Sequence, residues 1–313
     1  MEREKKIRLL RMIGAAVLYV WAAAACWGAE KSESQVYLAL ERGVMSQTAA
    51  EIRAQTEDPI GCCFWGEEEE QTVSSPVTGR TAQAARVYLE GNAELLGAGA
   101  LAWQDGCLID EKTAQALFGT VSCGAQRLSW EGQSYPVLGT VPALRPTVVM
   151  TAREEDRMDR CVLALPAENG KILGEGFLLR FGLRGKVLDF FPLWALVRNC
   201  LLLAPGVILF SLCRRLGWDR KKPGRTALVF ALGVCGAVLL WKGLVIPPEL
   251  IPSRWSDFSF WSRMWEAQKE NLRCILFTPL GGRQLQILLN MVKSMGGSIL
   301  AALLVRKAHR PMQ

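Results

Sequence analysis

The chain carries one histidine in 313 residues, His309, in a basic tail. A Ser-His relay or a histidine-based metal site cannot be assembled from that. There is no GxxxxGK[ST] loop, so the usual backbone cradle for nucleotide phosphates is missing. No CxxC spacing occurs among the ten cysteines, which removes the usual zinc-ribbon and thioredoxin-like signatures. Internal repeats and extended low-complexity tracts are absent too. A non-enzymatic chain is therefore expected, with no catalytic residues and no cofactor or metal of its own.

What is present is apolar. Half of the residues are hydrophobic, and there are 11 tryptophans. Four apolar runs stand out: Met12 to Ala29, Leu193 to Cys213, Thr226 to Ile246 and Leu285 to Val305. Each approaches the roughly 20 residues that cross a hydrocarbon core at about 1.5 Å per residue. A core helix of a soluble protein is rarely so long and so apolar all round. None of the four contains an acidic residue.

The net charge of +7 reads as topology rather than nucleic-acid binding. Arg3, Lys5, Lys6, Arg8 and Arg11 precede the first run. Arg214, Arg215, Arg220, Lys221, Lys222 and Arg225 fill the loop 214–225, and Arg306, Lys307 and Arg310 follow the fourth run. If all four runs span, these three segments share one side, which the positive-inside rule makes the cytoplasm. Residues 30–189, by contrast, hold 15 Lys/Arg against 23 Asp/Glu. The expected layout is 1–29 as basic N-terminus and first transmembrane helix, 30–189 as an extracytoplasmic α+β domain, and 190–313 as three further transmembrane helices. Both termini are cytoplasmic in a multi-pass plasma-membrane protein, the lipid bilayer is a partner, and nucleic acid is not. The first run is expected to stay as an anchor. Cleavage as a signal peptide is the alternative, disfavoured by bulky Trp27 at the exit and by an apolar run longer than the usual ~7–15-residue signal core.

Within 30–189, residues 34–55 read as a helix leaving the membrane, 56–81 as a polar, turn-rich stretch, and 85–89 as a strand. Glu67 to Glu70 read as a solvated loop rather than a cation site, because a consecutive run does not converge on one ion. In GCLIDEKTAQALFGT, 106–120, a short apolar run ends at Asp110, a good N-cap. Ala114, Leu117 and Phe118 recur at helical spacing, and Gly119 suits the residue just past the end. RLSWEGQSYPVLGTV, 127–141, reads as a hairpin turning at Glu131-Gly132. Residues 162–165 and 172–181 read as further strands. Cys62, Cys63, Cys107, Cys123 and Cys161 read mostly as free or structural thiols.

Residues 253–272, SRWSDFSFWSRMWEAQKENL, form an outer amphipathic segment. Trp255, Phe258, Trp261, Trp265 and Leu272 lie along one helical stripe, and Ser256 or Asp257 is its cap. Two readings stand: a helix on the outer leaflet, where Trp is enriched, or an aromatic face packed on the extracytoplasmic domain. Arg198 and Lys242 lie near span ends and can snorkel. Lys293 is central in the fourth run, where a lysine costs roughly 2.5–3.5 kcal/mol. With Asn290, Gly297 and Ala301 it marks an intramembrane helix–helix or subunit interface. A shifted register that brings Lys293 to the outer surface is the alternative.

The run GCLIDEKTAQALFGT…GAQRLSWEGQSYPVLGTV resembles the extracytoplasmic core domain of MacB-type ABC transporter permeases. It carries a strand ending in an acid, a short helix closing on Leu-Phe-Gly, a glycine, and a hairpin ending in a Val-x-Gly-type strand. The matching residues are Asp110, Ala114, Leu117, Phe118, Gly119, Gly124, Gly132, Tyr135, Val137 and Gly139. One run, a large domain and three further runs is similar to the family's FtsX-like four-span topology. The resemblance implies a permease-type subunit, a homo- or hetero-dimer, and a separate cytoplasmic ABC ATPase that binds the ATP. It implies ATPase coupling at Arg214, Arg215 and Gly217. The loop SLCRRLGWDRKKPGR departs from the family's Arg-Glu-Ile-Gly-like coupling start, and Pro223 would stop a long helix there. The alternative function is a membrane-anchored extracytoplasmic binding or scaffold protein without ATPase coupling.

Overall fold

A computed structural model describes residues 2–29, 34–56, 61–102, 105–124, 126–216, 223–252, 254, 257–278 and 282–309. The chain divides into two units. One gathers 1–31, 191–257 and 287–313; the other gathers 32–190 and 258–286.

The first unit is helical. It holds α1 (Glu2–Gly28), α5 (Phe191–Leu201), α6 (Leu203–Leu216), α7 (Pro223–Gly243) and most of α9 (Gly282–His309). Among the described residues, three stretches are long and apolar enough to cross a membrane: Lys6–Gly28, Phe191–Ser211 and Gly282–Ala308. The second runs through α5 and α6, with a turn at Leu202 just ahead of Pro205. In α7 the apolar stretch is the shorter Ala231–Gly243. Pro223 is the first residue of α7, where its missing N–H costs nothing. Asn199 of α5 brackets Val245, accepting from its N–H at 2.9 Å and donating to its carbonyl at 2.7 Å.

The second unit is α+β. Its strands are β1 (Val36–Met45), β2 (Cys62–Ser74), β3 (Thr81–Gly91), β4 (Cys107–Asp110), β5 (Arg127–Trp130), β6 (Gln133–Val141), β7 (Thr147–Thr151), β8 (Arg157–Leu163) and β9 (Gly185–Leu188). They form one mixed sheet in the order β3-β7-β4-β6-β5-β2-β8-β1-β9, and β2 also pairs β3. The β3–β7 and β4–β6 pairs are parallel. The long β2–β3 hairpin bridges two lobes. Cys62 to Trp65 of β2 pair with β8, while its last residue, Ser74, pairs with Ser129 of β5. One core forms around Val36, Leu38, Leu40, Phe64, Met158 and Leu163. The other forms around Ile109, Leu117, Leu128, Trp130, Val137 and Val148.

Four expectations are corrected here. Residues 34–55 are not one helix but β1 followed by α2 (Ser46–Gln55). Val36, Leu38 and Leu40 enter the first core, while Tyr37, on the opposite face, is buried against Phe190. A strand covered on both faces loses the period-two signal. Residues 62–74 are strand β2, not a turn-rich loop, and the bulge between Glu67 and Glu70 absorbs the acidic run. The stretch 172–181 lies mainly in a helix, α4 (Gly170–Arg180), rather than a strand. Its glycines permit close seating: a Cβ on Gly170 would stand 2.8 Å from Val36, and one on Gly174 3.0 Å from Val187. The residues read as a strand at 162–165 belong to β8 only as far as Leu163.

The 106–120 cassette and the 127–141 hairpin fold as their residues dictate. Strand β4 ends at Asp110, and α3 (Glu111–Phe118) begins at once. Gly119 adopts φ 72°, the left-handed stop that glycine alone takes without strain, and its N–H reaches the Gln115 carbonyl at 2.9 Å. Glu131 and Gly132, at φ 50° and 78°, make the turn between β5 and β6.

Candidate functional site

Asp110 is more than a cap. It is buried, and Oδ1 accepts from the N–H groups of Lys112 at 2.9 Å and Thr113 at 3.3 Å. Oδ2 accepts from the Thr113 hydroxyl and, at 2.8 Å, from the Thr147 N–H. One carboxylate thus ties the start of α3 to the start of β7. Leu117 is buried and Phe118 packs beside it in the second core. Gly139 lies on β6 opposite Leu108. This cluster organises the lobe and presents no reactive group.

The charge lies elsewhere in the same unit. Arg86 of β3 is buried and makes a paired contact with Asp156, Nη1 to Oδ1 at 3.0 Å and Nη2 to Oδ2 at 2.7 Å. Glu68 stands 3.4 Å from the same guanidinium. Glu67 pairs with Arg145 and, at 3.3 Å, with Arg160, whose guanidinium lies over the Trp65 ring at 4.7 Å. Two members of the acidic run are therefore held by arginines far away in sequence, which a solvated-loop reading does not provide for.

Asp156 also accepts from the Arg153 N–H at 2.6 Å, which shapes the turn between β7 and β8. The Arg153 side chain then reaches the Tyr135 hydroxyl at 2.7 Å and Glu131 at 3.1 Å. A cleft of about 510 Å³ opens beside it, lined by Asp105, Gln133, Tyr135, Met150, Arg153 and Glu154 among others. With both charge signs and an aromatic edge, it has the chemistry to hold a polar chain segment. Among the described residues that line it there is no serine, cysteine or histidine.

A third cluster ties the first turn of α9 to the sheet. Tyr37 is buried; its hydroxyl donates to Gln35 at 2.8 Å, and Gln35 donates to the Leu95 carbonyl at 3.1 Å. Burial raises the Tyr37 pKa above its ordinary value, while the positive charge of nearby Arg283 of α9 works against that rise. Gly97 leaves room for the same guanidinium, since a Cβ there would stand 2.9 Å from its Nη1. Nothing short-range in the sequence marks Arg283, Tyr37, Arg86 or Arg153 as partners; the fold alone brings them together.

The remaining expected residues lie in the helical unit. Arg214 and Arg215 fall in the last turn of α6; their side chains, and Gly217, lie outside the described residues. Gly297 faces α1: a Cβ there would stand 3.0 Å from Ala22 and 3.3 Å from the Leu18 carbonyl. Ala301 is buried and packs in a cluster with Ala204 and Leu18. Asn290 approaches Gly28, and Lys293 points to the exposed side of α9. The four are not brought together: Asn290, Gly297 and Ala301 meet neighbouring helices of this chain, and Lys293 does not. The Arg198 guanidinium lies over the Trp194 ring at 5.1 Å.

Cys62, Cys63, Cys107, Cys123 and Cys161 are all buried free thiols. Burial pushes the Cys107 thiol up to about 12, and it also raises Cys63 and Cys161, each with neighbouring thiols adding to the rise. An unfolded thiol ionises near about 8.5. Below that pH both states hold the proton and stability is unaffected. Above it the unfolded chain releases the proton and the folded chain keeps it, so stability falls as pH rises toward 12. Denaturant titrations with reductant at pH 8 and pH 10 should show this loss, smaller in Cys107→Ala. Equal losses in the two proteins would refute the assignment.

No family model matches the chain, and no curated protein does. Solved structures do. Over 50% of this chain and 88% of the other, it is similar to the periplasmic region of MacB from Actinobacillus actinomycetemcomitans, with 7% identity and a TM-score of 0.40. Over 50% of this chain and 100% of the other, it is similar to the extracellular domain of the noncanonic ABC-type transporter YknZ from Gram-positive bacteria, with 12% identity and a TM-score of 0.35.

Proposed function

We propose that this chain is a permease-type subunit of an ABC transporter, working in export or envelope signalling. In this reading all four apolar helices span the plasma membrane, both termini are cytoplasmic, and residues 32–190 face outward. The observation that carries it is the cassette: the strand ending in Asp110, the α3 helix closed by Gly119, and the β5–β6 hairpin share one core. That is the arrangement the MacB-type resemblance calls for, in a domain inserted between the first and second apolar helices. The chain itself hydrolyses nothing; ATP is bound by a separate cytoplasmic ATPase on which a permease dimer sits.

Detergent-solubilised protein should recover an ABC ATPase on pull-down, and changing Arg214 and Arg215 to Glu should abolish that recovery. Recovery of the protein with no ATPase under mild conditions would count against the permease. It would favour the second reading, a membrane-anchored binding or scaffold protein, which rests on the departure of SLCRRLGWDRKKPGR from the family's coupling start.

A further inference from the structure

Helix α8 (Phe258–Phe277) belongs to the same unit as the sheet. One of its faces is docked. Ile275 is fully buried, and Asn271 donates to the Asp189 carbonyl at 2.9 Å, beside β9. A second face is apolar and open. Phe258 is 83% exposed, Trp265 60% and Leu276 64%, with Trp261 and Leu272 also exposed. At 100° per residue these five fall within a 60° arc. Arg263 and Glu270 lie on the far side of the wheel, and Lys269 stands at the edge of the stripe, its ammonium 5.9 Å from the Trp265 ring. The alternative reading, this aromatic face packed on the domain, is not what the described residues show; a different face does the docking. Trp255 and Ser256 lie outside the described residues.

A stripe of Trp, Phe and Leu left in water would be unfavourable, at about 25 cal/mol per Å² of apolar surface. The chain identifies its occupant. From Phe277 to Gly282, where the candidate span of α9 begins, is five residue steps. Fully extended, they reach about 18 Å. The end of α8 is thus tethered close to a helix that enters a bilayer, and the headgroup region is within its reach. Tryptophan with flanking lysine is the composition that this region favours.

We propose that the open face of α8 lies in the outer leaflet, so that lipid is its occupant and α8 seats the sheet domain on the membrane surface. The proposal rests on the reading of α9 as a span, and it does not require ATPase coupling. An interfacial helix buries its apolar face about 5–10 Å into the headgroup and acyl boundary, which suits one row of Trp and Leu side chains. Docked on one face and lipid-seated on another, α8 would hold the domain at a fixed height.

The test places photoreactive benzoylphenylalanine in the full-length chain, reconstituted into phosphatidylcholine–phosphatidylglycerol vesicles. The positions are Trp265, Leu276, Arg263 and, in α9, Val292, which is exposed on the helix surface. Mass spectrometry of the irradiated peptides should show lipid adducts at 265, 276 and 292, and none at 263. Lipid adducts at 292 with none at 265 and 276 would overturn the seat while leaving the span intact. So would cross-links from 265 or 276 to a second copy or another protein, or equal lipid labelling at 263. Absence of lipid at 292 as well would remove the span and the seat together.

Discussion

Replacing Arg86 with alanine lowers the stability of the sheet domain by about 3–5 kcal/mol, the loss expected when one partner leaves a buried ion pair. Arg86 is 3% exposed and Asp156 6%. Their two contacts, at 3.0 and 2.7 Å, are the planar fork that arginine forms with a carboxylate. Removing the guanidinium leaves Asp156 buried with the Arg153 N–H as its remaining donor. It also strips the Met150 sulfur and the Glu68 carboxylate of a partner. The cost lies mainly in the orphaned charge, not in the lost attraction. The double variant Arg86→Met with Asp156→Leu should therefore recover much of the stability, because apolar replacements of similar volume remove both charges at once. Denaturant titration of the full-length protein, read by hydrogen exchange on β3 and β7, checks both. A single-variant loss below about 1 kcal/mol would mean that the pair is hydrated and carries little.

The consequences extend to the cleft. Asp156 shapes the β7–β8 turn, and that turn aims Arg153 at Tyr135 and Glu131. The cleft wall is thus set by a buried pair that joins positions 70 residues apart. No local pattern encodes such a contact. This is why Glu67 to Glu70 read as solvated loop: a strand of carboxylates is implausible until Arg86, Arg145 and Arg160 are brought alongside by the sheet. The same limit explains the 34–55 reading. The helix formers Leu, Ala and Glu fill β1, and only pairing with β8 and β9 makes it a strand. Helix α4 was hidden by three glycines, which oppose a helix in isolation by about 1 kcal/mol each. Gly170 and Gly174 are tolerated because the helix lies so close to Val36 and Val187 there.

Features written in consecutive residues were legible. The Asp110 cap, the Gly119 stop and the Glu131-Gly132 turn each depend on a handful of neighbours, and each stands in the structure. Three of the four apolar runs were legible as long apolar helices for the same reason, since such a helix asks for composition and length alone; among the described residues the third run gives only the shorter Ala231–Gly243. The 253–272 helix was legible as amphipathic, with its boundary shifted to Phe258–Phe277. Its docking partner was not, because the Asn271 to Asp189 contact joins residues 82 apart. The sites that link the elements, Arg283 with Tyr37 and Arg86 with Asp156, are the ones that a linear reading misses.

Asp110→Ala should cost about 3 kcal/mol, well above an ordinary cap. Two contributions combine. Loss of an N-cap costs typically about 1 kcal/mol, here through the N–H groups of Lys112 and Thr113. The Thr147 N–H at the start of β7 is then left without its acceptor at a buried position, which costs about 1–3 kcal/mol more. Asp110→Asn separates the two. Its single carbonyl oxygen can serve the α3 N-terminus or the Thr147 N–H, but its NH₂ group then faces a second donor. It should fall between the native chain and Asp110→Ala. Hydrogen exchange gives a sharper readout than global stability. In Asp110→Ala, the amides of both α3 and β7 should lose protection together, although α3 ends 29 residues before β7 begins. Loss confined to α3, with a stability change near 1 kcal/mol, would reduce Asp110 to a plain cap. The carboxylate would then no longer be what fastens the cassette's helix to β7, the strand that pairs parallel with β3.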